Sequence, residues 1–252
     1  MIDLHSHLLP GLDDGPPDEQ GAIALAAEVA AAGVRTIAAT PHLREDFPDV
    51  RVDELAGRVA ALRSLLATAG IALEVVTGGE VDILWAQSAS DEALRAASYG
   101  GRGTDLLVET PYGELPGIFE ELLFRIRVRG FRILLAHPER NQSFQRDPER
   151  LIRLVEGDVL VQLTAASVTA GGRSRAARLA HRLIADGHAH VIAGDLHRAG
   201  GGRASLQAAV AAVDGGRAQW MVTDAPAAIL AGTPLPPPPA SEPRRRSWLR
   251  RR

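Results

Sequence analysis

The sequence predicts an α/β fold built around a parallel sheet. Short apolar runs alternate with longer amphipathic ones through most of the 252 residues, which is the pattern of successive β/α units. Several short runs, such as residues 132–136, are apolar on both faces, as expected where helices cover both sides of a parallel strand. Seven such units favour a (β/α)₇ barrel, one unit short of eight, with an open doubly wound sheet as the alternative.

The elements can be placed in chain order. Strands are predicted near residues 2–5, 34–40, 71–78, 104–109, 132–136, 159–163 and 190–194. Helices are predicted near 18–32, 52–69, 117–129, 148–156, 173–186, 204–213 and 216–231. Asp18 is the expected N-cap of the first helix, which stops at Gly33, and Gly187 ends the fifth.

The end of the chain differs from the rest. Pro234, the prolines of 236–239 and Pro243 lie in a short stretch, which predicts one barrel domain over residues 1–235 and a disordered Pro/Arg-rich tail over 236–252. The tail carries a charge of +5, which leaves −8 on residues 1–235. An acidic body argues against a general nucleic-acid binder. The tail is expected to be solvated, with contact to anionic lipid or an acidic partner as the alternative.

Several classes of protein are excluded by composition. Cysteine is absent, so disulfides, thiolate zinc sites, iron–sulfur clusters and cysteine nucleophiles are ruled out. The N-terminal residues 1–9 lack the pattern of a signal peptide, and no stretch reaches 18 apolar residues. A cytoplasmic protein without a transmembrane segment is therefore expected.

Metal-binding residue types recur at the ends of the predicted strands. His5 and His7 end the first strand, and alternate residues of an extended chain point the same way, so both imidazoles can meet one metal. The other candidates follow later strands: His42, Glu80, Glu109, His137, Asp195 and His197. Six of seven strands thus end in such a side chain, and these ends share one face of a barrel. This pattern predicts a convergent metal site.

The donor set indicates which metals would bind. Nitrogen and oxygen donors suit Mn²⁺, Fe²⁺ or Zn²⁺, and several histidines argue against pure Mg²⁺ or Ca²⁺ sites. The candidates are too many for one ion, so two or three ions bridged by a glutamate are expected. Asp14, in the loop 9–17, is favoured as a further ligand over a plain turn residue. His181, His188 and His190 lie within a helix or before the seventh strand, and we interpret them as structural or solvated.

Two arginines follow predicted ligands closely in sequence. Arg140 lies three residues after His137, and Arg203 lies six residues after His197. Because the planar guanidinium offers several donors to phosphate oxygens, we expect both arginines to bind phosphate.

Several motifs together resemble a known family. DLHSHLLPGLDDGP, ATPH, GGEVD, LVETP, LAHPERN and GDLH, in this order, resemble the bacterial metal-dependent protein-tyrosine phosphatases of capsule and exopolysaccharide operons, members of the polymerase-and-histidinol-phosphatase (PHP) superfamily. The resemblance covers about residues 1–235. It implies a distorted (β/α)₇ TIM-like PHP barrel holding a three-metal cluster, commonly of manganese.

The resemblance also implies roles for individual residues. One metal would be held by His5, His7, Glu80 and Asp195, a second by Glu80, Glu109 and His137, and a third by Asp14, His42 and His197. Arg140 and Arg203 match the family's phosphate-binding arginines. The family commonly reads Ser-Asp-Ala-His at the last motif, where this chain has Gly194-Asp195-Leu196-His197. Both candidate ligands, Asp195 and His197, are present, so metal binding is expected to persist. The changes at residues 194 and 196 put the fit of the substrate in question.

The implied activity is hydrolysis of phosphotyrosine on a partner protein, such as a tyrosine autokinase that controls polysaccharide synthesis. The hypothesis is in-line attack by a metal-bound hydroxide, with His197 or a metal-bound water supplying the proton. One alternative is a PHP-type phosphoesterase acting on a small-molecule phosphate ester. Another is a non-catalytic metal-binding regulatory module.

Overall fold

Parallel strands form the centre of the molecule. A computed structural model describes residues 1–200, 205–213 and 216–239. Within these ranges the strands are β1 (Ile2–Asp3), β2 (Thr36–Ala39), β3 (His42–Leu43), β4 (Glu74–Thr77), β5 (Glu80–Asp82), β6 (Asp105–Glu109), β7 (Arg132–Leu135), β8 (Leu160–Thr164) and β9 (Val191–Ala193). Each registered strand pair is parallel, which confirms the predicted α/β class.

The strands occupy the seven predicted positions, two of which are split. The strands are ordered β1-β2-β4 in one sheet and β3-β5-β6-β7-β8-β9 in another. Because β2 and β3 follow each other closely in the chain, as do β4 and β5, each of these two pairs corresponds to one predicted strand. Ser6 makes a parallel bridge to Leu196 beyond β9, and the His7 N–H donates to the Leu196 carbonyl at 2.8 Å. The parallel contacts therefore lead from the first segment round to the last and back to the first.

Glycines mark the split between β4 and β5. A Cβ on Gly79 would lie 2.5 Å from Leu43 Cδ1, and one on Gly78 would lie 3.1 Å from Thr40 Cγ2. Two glycines thus permit the close approach of neighbouring strands where the chain turns inward. The turn allows β5 to begin with Glu80 on the buried side.

Helices connect the strands. Those described are α1 (Glu19–Ala31), α2 (Leu55–Thr68), α3 (Ile83–Ser88), α4 (Asp91–Ala97), α5 (Phe119–Val128), α6 (Gln142–Arg146), α7 (Pro148–Glu156), α8 (Ala165–Thr169), α9 (Arg175–Asp186), α10 (Leu206–Ala212), α11 (Gly216–Val222) and α12 (Asp224–Ala231). Asp18 caps α1 by accepting from the Gly21 N–H at 2.8 Å, as predicted. No helix in the described ranges is long and apolar enough to cross a bilayer.

Two features of the helices differ from the prediction. α3, α4, α6 and α8 are absent from it because five to seven residues are too few to show helical periodicity. The predicted helix 216–231 is two helices, because Pro226 has no N–H to donate within a continuous helix. The start of the predicted helix 204–213 and the tail from residue 240 onward lie outside the described residues, so the boundary at residue 235 stays a prediction.

Alternate residues of the strands face two apolar clusters. Leu107 and Leu134 lie with Tyr99 and Ile229 in the smaller cluster, whereas Leu106 and its neighbours on the opposite faces of the strands join the larger one. The Tyr99 hydroxyl donates to the Leu4 carbonyl at 2.8 Å, which satisfies a buried polar group. Both sides of the sheet are therefore apolar along the strands, and the polar side chains gather beyond their carboxyl ends.

Two of the three histidines interpreted as structural, His181 and His190, contact backbone groups. His181 Nε2 lies 2.7 Å from the Val168 carbonyl oxygen. His190 Nδ1 accepts from the Val161 N–H at 3.0 Å. Burial, together with the positive charges of Arg217 and His188, lowers the pKa of His190 to about 4. His190 is thus held as a neutral acceptor.

This neutral histidine predicts a pH dependence of stability. Because its folded-state pKa is depressed below 6.5, its contribution is complete above pH 6.5 and is lost as the pH falls towards 4. His190→Asn keeps an acceptor near the Nδ1 position but does not titrate. Urea unfolding at pH 7 and pH 5 should show that the wild type loses about 2 kcal/mol more than the variant. Equal losses would contradict a neutral His190.

Candidate metal centre

The first two histidines converge because they alternate along an extended segment. His5 and His7 follow β1 and are fully buried, with ring centroids 5.5 Å apart. Ser6 points the other way and donates from Oγ to the Ala38 carbonyl at 2.7 Å. The segment therefore presents both imidazoles to the same side, as the spacing predicts.

The carboxylate of Glu80 lies at the centre of the cluster. Its Oε2 is 3.3 Å from His5 Nε2, 3.4 Å from His7 Nε2 and 3.0 Å from His42 Nδ1. Its Oε1 is 2.9 Å from His137 Nε2. Four imidazoles from three segments of the chain thus surround one buried carboxylate.

The remaining predicted ligands lie around this centre. Asp195 Oδ1 is 3.6 Å from His5 Nε2, and Glu109 Oε1 is 4.0 Å from His137 Nε2. The His197 ring stacks on the His7 ring, with centroids 4.0 Å apart. Asp14 Oδ1 lies 3.2 Å from His197 Nε2. All nine residues predicted from the sequence come together; their role as ligands is a proposal.

These residues form four overlapping sets in which the potential ligand atoms lie within 4.8 Å of one another. The sets are His7, Asp14, His42 and His197; His5, His7 and Glu80; His5, His137 and Asp195; and His42, Glu80 and Glu109. Overlap of this kind is expected where side chains are shared between neighbouring ions. The sets group the same nine residues but divide them differently from the resemblance, since His137 lies with His5 and Asp195 instead of with Glu80 and Glu109. The division among ions therefore stays a prediction.

Four buried polar atoms in this cluster lack a hydrogen bond among the described residues. They are His5 Nε2, His7 Nε2, His42 Nδ1 and Glu80 Oε2. Buried polar atoms are nearly always hydrogen-bonded in native proteins. Because all four converge and belong to ligand-type side chains, the residues fit a group of divalent cations, with only nitrogen and oxygen donors to offer.

The charges of the cluster stabilise one another. Burial opposes the charged form of His5, but Glu80 and Asp195 more than offset it and raise the pKa of His5 to about 9. Burial likewise opposes ionisation of Glu80, yet the surrounding histidines hold its pKa well below its usual range. Glu109 differs, because burial and the nearby charge of Glu80 raise its pKa.

Two of the candidate ligands have unusual backbone geometry. His137 follows β7 with φ 32°, and Asp195 follows β9 with φ 51°. Positive φ is uncommon for residues other than glycine, and such conformations concentrate at functional sites. Here the turn directs both side chains towards the cluster immediately after their strands end.

Asp13 and Gln162 support the cluster and were missed in the sequence. Asp13 Oδ2 lies 2.7 Å from His7 Nδ1 and accepts from the His42 N–H at 3.0 Å. Gln162 Oε1 lies 3.0 Å from His5 Nδ1. Both contacts fix an imidazole by its second nitrogen, which orients a ligand. The signal for Gln162 was a polar residue inside an otherwise apolar strand, the one strand without a candidate ligand.

Arginines lie at the edge of the cluster. The half-exposed Arg140 donates from Nη1 to Asp195 Oδ2 at 2.6 Å. Arg203 lies outside the described residues. Arg44, which the sequence analysis did not single out, donates from Nη1 to Glu109 Oε2 at 2.6 Å. Its signal was its position two residues after His42.

The two changes in the last motif, Gly194 and Leu196, flank the candidate ligand Asp195. The Gly194 N–H donates to both carboxylate oxygens of Asp3 at 3.0 Å. A Cβ on Gly194 would lie 2.5 Å from Leu196 Cγ and 2.6 Å from Asp3 Oδ2. Leu196 packs against the main apolar cluster. Glycine and leucine are therefore a matched pair, in which Leu196 takes the space that a side chain at residue 194 would need.

The fold and cluster together define a class of protein: a parallel α/β barrel-type fold with a histidine–carboxylate centre beyond the carboxyl ends of its strands. The family model for capsular polysaccharide synthesis, CpsB/CapC, matches residues 1–226. The chain belongs to this family.

Relatives and solved structures agree with this assignment. The chain is 32% identical over 199 residues to tyrosine-protein phosphatase YwqE of Bacillus subtilis (strain 168), spanning 78% of this chain and 77% of that protein. It is 24% identical over 205 residues to tyrosine-protein phosphatase CpsB of Streptococcus pneumoniae, spanning 78% and 83%. A crystal structure from work on these two proteins, termed there unique metal-dependent tyrosine phosphatases, matches with a TM-score of 0.82 and 26% identity, over 96% of this chain and 100% of that one.

The central position of Glu80 predicts the effect of its substitution on metal content. Glu80→Gln removes a charge shared by two of the ligand sets. After dialysis against Mn²⁺, elemental analysis should find less metal per chain in this variant than in the wild type. His181→Gln, which keeps a donor for the Val168 carbonyl, should retain the wild-type content. Full metal content in Glu80→Gln would contradict a bridging position.

The matched pair in the last motif predicts a coupled effect on stability. Gly194→Ser should lower the free energy of unfolding by about 1–3 kcal/mol, because the new Cβ overpacks against Leu196 and Asp3. Adding Leu196→Ala should make the serine less damaging than it is in the wild-type background. Urea unfolding of the two single variants and the double variant measures this coupling. Strictly additive effects would refute the pairing.

Proposed function

We propose that this chain is a metal-dependent protein-tyrosine phosphatase. The observation that carries the proposal is the convergence of four imidazoles on the buried carboxylate of Glu80, at the carboxyl ends of the strands. Membership of the capsular polysaccharide synthesis family supports it, as do the activities named for YwqE and CpsB.

The proposed centre holds two or three divalent cations, with Mn²⁺ favoured over Fe²⁺ or Zn²⁺. The ligands would be His5, His7, Asp14, His42, Glu80, Glu109, His137, Asp195 and His197, divided as the family resemblance implies. When bound, such cations supply an acidified water as the nucleophile and positive charge opposite the phosphate oxygens. Glu80 belongs to two of the four sets, which supports a position between two ions.

Arg140 is proposed to bind the phosphate group. Its guanidinium is half exposed while one N–H donates to Asp195, so other donors remain available on the solvent side. A planar guanidinium can contact two oxygens of a phosphate at once and so orient it. The same role is proposed for Arg203, from its place in the sequence alone.

We propose His197 as a metal ligand; the alternative role, proton donation to the leaving phenolate, stays a prediction of the sequence. Its Nδ1 lies 3.0 Å from the Asp195 carbonyl oxygen, which can only accept. Burial and the charge of His7 lower the pKa of His197. Both features favour a neutral ring that carries its proton on Nδ1, which leaves the Nε2 lone pair for a metal. Because phenol has a pKa of ~10, it leaves with little help from an acid.

The proposed substrate is phosphotyrosine on a protein, such as a tyrosine autokinase that controls polysaccharide synthesis. The family description supports this link to capsular polysaccharide. The cytoplasmic location and the contacts of the tail with lipid or an acidic partner stay predictions of the sequence.

The direct test is phosphate release from phosphotyrosine peptides by purified protein with Mn²⁺. His137→Ala removes a candidate ligand that contacts Glu80 and should lower kcat/KM by at least roughly 100-fold. His181→Gln serves as the matched histidine control and should remain active. Undiminished activity in His137→Ala would overturn the proposed site. Strong preference for a small ester, such as histidinol phosphate, would overturn the proposed substrate.

A further inference from the structure

An exposed aromatic side chain lies at the edge of the cluster of candidate ligands. Tyr112 follows Glu109 by three residues and is 70% exposed. The Arg44 guanidinium carbon lies 4.0 Å from the centroid of its ring. Because an aromatic ring offers a flat apolar face to other rings, an exposed one beside candidate ligands can contact a bound substrate. The open surface of Tyr112 therefore suggests a surface for a ligand.

Arg44 is itself fixed in place. Its side chain is only 11% exposed, and it donates to Glu109 Oε2 and to Asp46 Oδ1, each at 2.6 Å. The guanidinium is thus held by two carboxylates while it covers part of the Tyr112 ring. A cation over an aromatic face contributes about 0.5–1 kcal/mol at exposed sites. The contact gives Tyr112 a preferred position before any ligand binds.

A second aromatic side chain belongs to the same loop. The Phe47 N–H donates to the Arg44 carbonyl at 3.1 Å, which closes a turn. The Phe47 ring stacks on His42, with centroids 4.9 Å apart and planes inclined by 11°. His42 in turn lies within 3.0 Å of Glu80. The turn from Arg44 to Phe47 therefore places the Phe47 ring against His42 of the cluster and the Arg44 guanidinium over the Tyr112 ring.

We propose that Tyr112 and Phe47 form an aryl-binding rim for the phenyl ring of phosphotyrosine, with Arg44 as the residue that positions Tyr112. Aromatic rings attract one another through offset or edge-to-face contacts worth about 0.5–1.5 kcal/mol beyond their burial. The rim deepens the proposed function, since it selects the ester while the metal cluster holds the phosphate. An alkyl ester would reach the same cluster without this contact.

The test separates ring binding from hydrolysis. Titration calorimetry with the Mn²⁺-loaded protein measures the dissociation constants of phenylphosphonate and ethylphosphonate, which share the phosphonate and differ in the ring. The wild type should bind the phenyl compound more tightly. Tyr112→Ala should reduce this preference roughly two- to tenfold, whereas Tyr112→Phe should keep it. Phe124→Ala, which removes another exposed aromatic ring, from α5, should leave it unchanged.

Arg44→Lys tests the positioning role. Lysine keeps the charge but lacks the planar fork that contacts both carboxylates and the ring. The phenyl preference should fall, and Arg44→Lys should add little in the Tyr112→Ala background because both changes act through one ring. Additive losses would show that Arg44 does not act through Tyr112.

Three outcomes would overturn the rim: no phenyl preference in the wild type, an unchanged preference in Tyr112→Ala, or an equal loss in Phe124→Ala. Failure of the proposed function would look different. The phenyl preference would depend on Tyr112, yet the protein would release no phosphate from phosphotyrosine peptides.

Discussion

The buried carboxylate of Glu80 is the constraint on which the rest of the site depends. An isolated buried charge is strongly unfavourable, so it persists only where opposite charges and donors surround it. Here the compensation comes from imidazoles on separate segments, including His5, His42 and His137. Each can reach Glu80 only if its strand keeps its register, as in the pairing of His42 with Glu80 between β3 and β5. The compensation of the Glu80 charge therefore depends on the order and register of the strands.

At the strand ends the backbone departs from regular strand geometry, and these departures direct the site residues towards the cluster. Gly78 and Gly79 break one strand position so that Glu80 starts a new segment facing inward. His137 and Asp195 adopt positive φ directly after their strands, which is unfavourable for residues with a side chain. The apolar clusters on both sides of the sheet supply the stability that tolerates these conformations.

The sequence predicted the residues whose role follows from their position along the chain. Strands were visible as apolar runs, and His137 or Asp195 was visible as a ligand type after a strand. Gln162, Asp13 and Arg44 were not, because their roles depend on neighbours that are distant in sequence and meet only in the folded chain. The prediction of helices was incomplete for similar reasons. The short helices have too few residues to show a helical period, and the break between α11 and α12 depended on one proline.

The two ends of a phosphate ester place different demands on this site. Cations and guanidinium groups stabilise charge on any phosphate, so the cluster cannot by itself distinguish one ester from another. Selectivity must come from contacts with the rest of the substrate, and Tyr112 and Phe47 offer such contacts beside the cluster. Arg44 connects the two functions, because one guanidinium contacts both the carboxylate of Glu109 and the ring of Tyr112. A change in the charge carried by Glu109 would therefore be felt at the ring that selects the substrate.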